Sequence, residues 1–174
     1  MSKKYFIALL PDFSNDFYKK IESLYFLECY PEFKLPFHTT LFFLGKLNAD
    51  DKKKVLWWLG KKKNYETITA KIEKISSFKR DEKDYVFFLK LNSEKINFLN
   101  NELEMFSDMH KDSFDFIPHM SLFFPKTSLD KKDIWILEES FKNFKNIKFK
   151  GIFLGSISDN VTHIHKYISF IWKK

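Results

Sequence analysis

The chain has 174 residues, 44% of them hydrophobic and 19% aromatic, with a formal charge of +7 from 30 basic and 23 acidic side chains. This composition excludes a disordered chain, and no apolar run reaches the roughly 18 residues of a membrane span. Four glycines and five prolines leave no room for a long flexible linker, so one domain covering residues 1–174 is expected, built from two lobes. The single cysteine, Cys29, excludes an internal disulfide and fits a reducing cytoplasm. Arg80 is the only arginine among the basic residues. A protein that reads nucleic-acid sequence through bidentate base contacts would use more.

Lys4 to Leu10 reads as a buried first strand, since Pro11-Asp12 cuts the apolar run short and no signal-peptide cleavage site follows. Ser14 is an N-cap for a helix to about Phe26, with Phe17, Ile21, Leu24 and Tyr25 at helical spacing. Tyr30-Pro31 and Leu35-Pro36 mark irregular chain, and a strand from His38 to Leu44 closes at Gly45. Asn48 opens a helix to about Gly60, and the lysine clusters 52–54 and 61–63 around it read as its solvated face. Alternating Ile68, Ala70 and Ile72 predict a strand over Thr67–Phe78, then a charged turn and a return strand from Tyr85 to Leu91. Ser93 caps a helix with Ile96, Leu99, Leu103 and Phe106 on one stripe, and a strand follows between Pro118 and Pro125. A helix from Ser128 to about Phe144 precedes final strands at Ile147–Ser156 and Thr162–Trp172. The expected class is α+β: a pseudo-twofold duplication of two mostly antiparallel sheets with outer helices around a central cleft.

Two segments carry the chemistry. Phe37-His38-Thr39-Thr40-Leu41-Phe42-Phe43 and Pro118-His119-Met120-Ser121-Leu122-Phe123-Phe124 each place a histidine two residues before a hydroxyl, 81 positions apart. On a strand, residues two apart share a face about 6–7 Å from each other, so imidazole and hydroxyl can touch one phosphate. A lone strand histidine is ordinarily structural; the repeat at matched flanks argues for a site. Imidazole titrates near pH ~6.5, so one histidine can accept a proton while the other donates one. A phosphodiester needs both services, and Thr40 and Ser121 can donate to the non-bridging oxygens.

On these motifs, and on the opening Tyr5-Phe6-Ile7-Ala8-Leu9-Leu10-Pro11, the chain resembles the two-histidine phosphoesterase superfamily. The branch it is most similar to contains the bacterial 2′-5′ RNA ligase-like proteins, also called RNA 2′,3′-cyclic phosphodiesterases. The resemblance implies a bilobal fold with a central cleft, catalysis without metal or cofactor, and catalytic roles for His38, Thr40, His119 and Ser121. Which histidine is acid and which base depends on substrate orientation, and the residues leave it open; the resemblance implies the first as acid and the second as base when a 2′,3′-cyclic phosphate is opened. The expected partner is a nucleotide, RNA or oligonucleotide substrate, with no membrane or protein partner and a monomeric chain. Cyclic or 2′-5′ oligonucleotide signals are an alternative substrate, and a non-catalytic nucleotide-binding module is another.

Tyr5, Phe6, Phe42 and Phe124 are candidates for an aromatic wall against a nucleobase, Lys126 for a phosphate contact, and His165 and Tyr167 for a cleft-facing role. His163 and His165 at strand spacing could also bind a metal, but only Asp159 lies nearby as a partner, and no metal is expected. His110 reads as a helix-end residue and Cys29 as a buried thiol.

Overall fold

The computed structural model describes residues 3–23, 37–109, 115–158 and 161–171. Cys29, His110, Asp159, Trp172 and the irregular stretches read at Tyr30-Pro31 and Leu35-Pro36 lie outside them. Strand β1 (Lys4–Asp12) sends Ile7 and Leu9 into the large core, and Phe6 and Ala8 into a smaller cluster with Phe153 on its other face. A strand covered on both faces reads as a continuous apolar run, which is why Phe6–Leu10 shows no polar alternation.

Helix starts follow their capping chemistry. Ser14 accepts from the Phe17 amide at 3.4 Å and opens α1 (Asn15–Glu22). Asn48 accepts from the amides of Asp50 and Asp51 at 2.9 and 2.8 Å and opens α2 (Ala49–Gly60). Helix α3 (Glu94–Leu103) is the exception, since Ser93 holds its N-cap position without a side-chain capping bond; it runs on into a 3-10 turn at Glu104–Phe106, burying the stripe Ile96, Leu99, Leu103 and Phe106. Helix α4 (Lys131–Phe141) starts later than Ser128, because Asp130 and Asp133 form a reciprocal capping box.

The remaining strands are β2 (Thr39–Gly45), β3 (Ile68–Arg80), β4 (Lys83–Asn92), β5 (His119–Phe123), β6 (Asn146–Ser158) and β7 (Val161–Ser169). The fold is α+β, but the strands form one seven-stranded sheet instead of two. Its order is β2-β1-β6-β3-β4-β5, with β7 also on β6 and every strand pair antiparallel. The cause is the length of β6. One edge pairs with β1 throughout, while the other pairs first with β3 (Asn146 to Phe149) and then with β7 (Gly151 to Ser158).

Exchanging β1 with β4, β2 with β5 and β3 with β6 turns the six-strand path into its own reverse. The same exchange carries the helix pair α1–α4, where Phe17 meets Phe141 and Phe144, onto the pair α3–α2. The two ends of the path return to each other: β2 and β5 have Cα atoms within 8 Å.

Helices α1 to α4 all pack on one face of the sheet. The large core takes Phe17 and Ile21 of α1, Val55, Trp58 and Leu59 of α2, Leu99 of α3 and Leu137 of α4, whereas the cluster on the opposite face contains no helix residue. Among the described residues no helix is long and apolar enough to cross a membrane.

The lysine-rich flanks of α2 are not uniformly solvated. Lys53 and Lys54 are exposed, but Lys62 is only 7% exposed. Its ammonium donates to both carboxylate oxygens of Glu102 on α3 at 2.8 and 2.6 Å, and lies 4.7 Å from the centre of the Trp58 ring. Burial, aided by the Glu102 charge, pushes the adjacent Tyr65 phenol above its ordinary range. Lys62→Ala should lower unfolding free energy by about 2 kcal/mol, because it strands a half-buried carboxylate that loses charge-assisted bonds. Urea denaturation reads this directly; an unchanged midpoint would show that the pair does not tie α2 to α3.

Candidate active site

The first motif histidine sits immediately before β2, on the helix-free face. Its ring stacks on Phe6 with centroids 5.2 Å apart and planes 26° from parallel, and meets the edge of Phe153 at 6.0 Å. Phe6 lies there because Gly155 leaves it room: a Cβ on Gly155 would stand 2.6 Å from Phe6 Cζ. Thr40 pairs across the ladder with Ala8, a residue of the same cluster, and so shares the His38 face. Thr39 pairs with Leu9 on the helix side and is fully buried, so of the two adjacent threonines only Thr40 can serve a ligand beside His38.

The second motif histidine opens β5. Met120 and Leu122 enter the large core, which turns His119 and Ser121 to the helix-free face. His119 stands edge-on over two stacked phenyl rings, Phe78 at 4.9 Å and Phe88 at 5.2 Å. Each motif imidazole therefore rests on phenylalanine.

Nδ1 of His119 lies 2.7 Å from the carbonyl oxygen of Ile117. A carbonyl only accepts, so Nδ1 carries the hydrogen and Nε2 of the neutral ring keeps its lone pair. Burial against the phenyl rings holds this imidazole below its ordinary pKa, and the bond to Ile117 opposes that only in part. At neutral pH His119 is thus a neutral ring with an acceptor nitrogen free to act. Lys90 is its direct neighbour across the β4–β5 ladder and is ion-paired with Glu73 at 2.9 Å.

His38, Thr40, His119 and Ser121 are all half-buried on one face of one sheet, on the two edge strands that approach each other. The other sequence candidates divide. Tyr167 pairs with Phe153, lies over Gly151, donates to the Lys150 carbonyl at 3.1 Å, and is 39% exposed on the His38 face. Phe6 is on that face too, but at 1% exposure it supports His38 and cannot meet a nucleobase. Phe42 packs against the large core on the helix side. Tyr5 and His165 face each other at 5.2 Å on the helix-bearing side, because Tyr5 and Phe6 are strand neighbours and point oppositely. Phe124 meets the edge of Tyr85 at 5.5 Å, and Lys126 is exposed in the loop after β5.

One surface groove of about 530 Å³, lined by Lys54, Trp57, Met105 and Met109 among others, lies between α2 and the 3-10 turn, and no motif histidine lines it. Among the described residues no three His, Cys, Asp or Glu side chains converge as metal ligands would, and His163 and His165 gain no third donor.

Phe78, Phe88, Phe153 and Gly155 were not legible as site residues. Their link to the histidines is strand register, which the motifs do not encode. Gly155→Ala should displace Phe6 and unstack His38, at a stability cost of about 1–3 kcal/mol for overpacking. Proton NMR of the imidazoles checks this: the ring-current shift of His38 should shrink while His119 stays put. An unmoved His38 signal would separate Gly155 from the site.

No family model matches the sequence, and no curated protein matches it. Solved structures do. TT0787 of Thermus thermophilus matches with a TM-score of 0.66 at 16% identity, over 95% of this chain and 97% of that one. A protein described as a phosphoesterase matches with a TM-score of 0.62 at 17% identity, over 97% and 98%. E. coli LigT complexed with 3′-AMP matches with a TM-score of 0.59 at 17% identity, over 98% and 99%. LigT structures with NADP+ and with ATP match as well. At 16–18% identity these are likenesses of fold: the chain shares its fold with TT0787, with LigT and with the protein described as a phosphoesterase.

Proposed function

We propose that the chain is a metal-independent phosphodiesterase that hydrolyses a 2′,3′-cyclic phosphate on an RNA end or nucleotide. The observation that carries this reading is that two histidines share one sheet face and that the Ile117 carbonyl and burial hold one of them, His119, as a neutral ring with Nε2 as its acceptor. His119 Nε2 takes a proton from water as the water oxygen attacks phosphorus. The bond from phosphorus to one ribose oxygen breaks, and the protonated His38 ring delivers a proton to that oxygen. Thr40 and Ser121 donate to the non-bridging oxygens, where charge rises in the transition state. Tyr167 offers the exposed aromatic surface for the base.

The reversible strand path and the exchangeable helix pairs support reading the fold as a duplicated half-domain, one histidine per half. The LigT complexes with 3′-AMP, NADP+ and ATP support a nucleotide as ligand class.

His38→Ala and His119→Ala should each lower turnover of a 2′,3′-cyclic nucleotide by about 10²–10⁴-fold, the usual contribution of one acid or base. Chelator should change nothing. Phosphorus NMR over 2′,3′-cyclic nucleotides, 2′-5′ oligoadenylates and cyclic dinucleotides identifies the substrate. Products only from the last two would make this a hydrolase of oligonucleotide signals, and binding without product a nucleotide-binding module. The base is active when unprotonated and its pKa is depressed, so the acid limb of kcat/KM should lie below pH ~6.5. Phe78→Ala rehydrates the ring and should move that limb upward. Full activity in either histidine variant, or loss of activity with chelator, contradicts the mechanism.

A further inference from the structure

On the helix-bearing face, where β1, β6 and β7 meet the first turn of α2, basic side chains converge. Ser156 is fully buried and its hydroxyl lies 2.8 Å from Nε2 of His165. His165 lies two residues from His163 and so on the Ser156 side; the bulge after it, where Gly155 pairs with Ile164 but Leu154 with Lys166, sends Tyr167 to the opposite face. Its ring packs on Tyr5 at 5.2 Å, and Lys52 of α2 holds its ammonium 5.5 Å from the centre of the Tyr5 ring. His163 pairs directly with Ser156 and shares its face, and Lys3 adjoins at the start of β1, where Lys4 pairs with Ile157.

The acids of the first turn of α2 are engaged elsewhere, Asp50 with Lys53 and Asp51 with Lys54. Among the described residues no carboxylate forms an ion pair with Lys52 or Lys3. Burial, then the charges of Lys52, Lys3 and His163, hold the His165 ring below its ordinary pKa. Like charges gathered in this way repel one another, and an anion placed between them turns that repulsion into attraction.

The geometry points to a phosphate-group site at this corner, formed by Lys52, Lys3, His163 and His165, on the opposite face of the sheet from the motif histidines. In the tautomer in which the Ser156 hydroxyl donates to Nε2, Nδ1 of His165 carries the hydrogen and can donate to the anion, alongside the two ammonium groups. The tie to Ser156 and the packing on Tyr5 hold the ring in place before the ligand arrives. The site stands apart from the proposed hydrolysis and does not depend on it.

Histidine-selective NMR of the full chain at constant ionic strength tests this, with inorganic phosphate as one probe and a 5′-phosphorylated trinucleotide as the other. The His165 signals should shift saturably with at least one probe. Lys52→Ala should weaken that response about tenfold, the loss of one charge-assisted contact, while leaving any His119 response unchanged. A response to phosphate equal to that for the trinucleotide identifies free phosphate as sufficient; a stronger one for the trinucleotide identifies a nucleic-acid end. Silence of His165 toward both probes, or a shift that Lys52→Ala does not weaken, overturns the assignment. Shifts confined to His38 and His119 would also overturn it while leaving the proposed hydrolysis intact.

Discussion

Four residues of β6, Asn146 to Phe149, pair with β3, and the architecture depends on that short ladder. It joins the arm β2-β1-β6 to the arm β3-β4-β5, so a single sheet runs from one motif strand to the other. Beyond Phe149 the same edge of β6 is taken over by β7, which fills the space that β3 leaves. Helices α1 to α4 cover one face, and the motif histidines lie on the other, half-buried beside the phenylalanines that line it. The approach of β2 to β5 then brings the two motif strands to within 8 Å of each other at Cα.

The two histidines are supported alike, since each rests on phenylalanine, which fixes the ring and withdraws water from part of it. For His119, the Ile117 carbonyl selects the tautomer and burial depresses the pKa. A general base must be neutral at working pH, and the tautomer and lowered pKa of His119 suit that state.

Much of this was legible in the sequence, for specific reasons. The elements were readable because period-2 and helical spacing are local, and because Ser14 and Asn48 announce their helices. The placement of Thr40 and Ser121 on the faces of their histidines followed from strand alternation alone. Register and face were not readable. Tyr5 and Phe6 are neighbours in sequence, yet one lies on each side of the sheet, and only the pairing of Phe6 with Gly155 reveals which holds His38. His165 and Tyr167 lie on opposite faces because a bulge breaks the alternation that sequence reading assumes. Lys62 looked like one more solvated lysine because its partner, Glu102, is 40 residues away. The expectation of two sheets failed because a strand that serves two partners along one edge leaves no mark in composition.

The central claim is that His38 and His119 act on one phosphate. Titration of the full chain with 3′-AMP, followed through the imidazole signals of both residues, tests it most directly. One shared saturation curve for the two histidines is the predicted result, with the response of each lost when the other is replaced by alanine or the affinity reduced together. Independent curves, or a response from one histidine alone, would contradict the account.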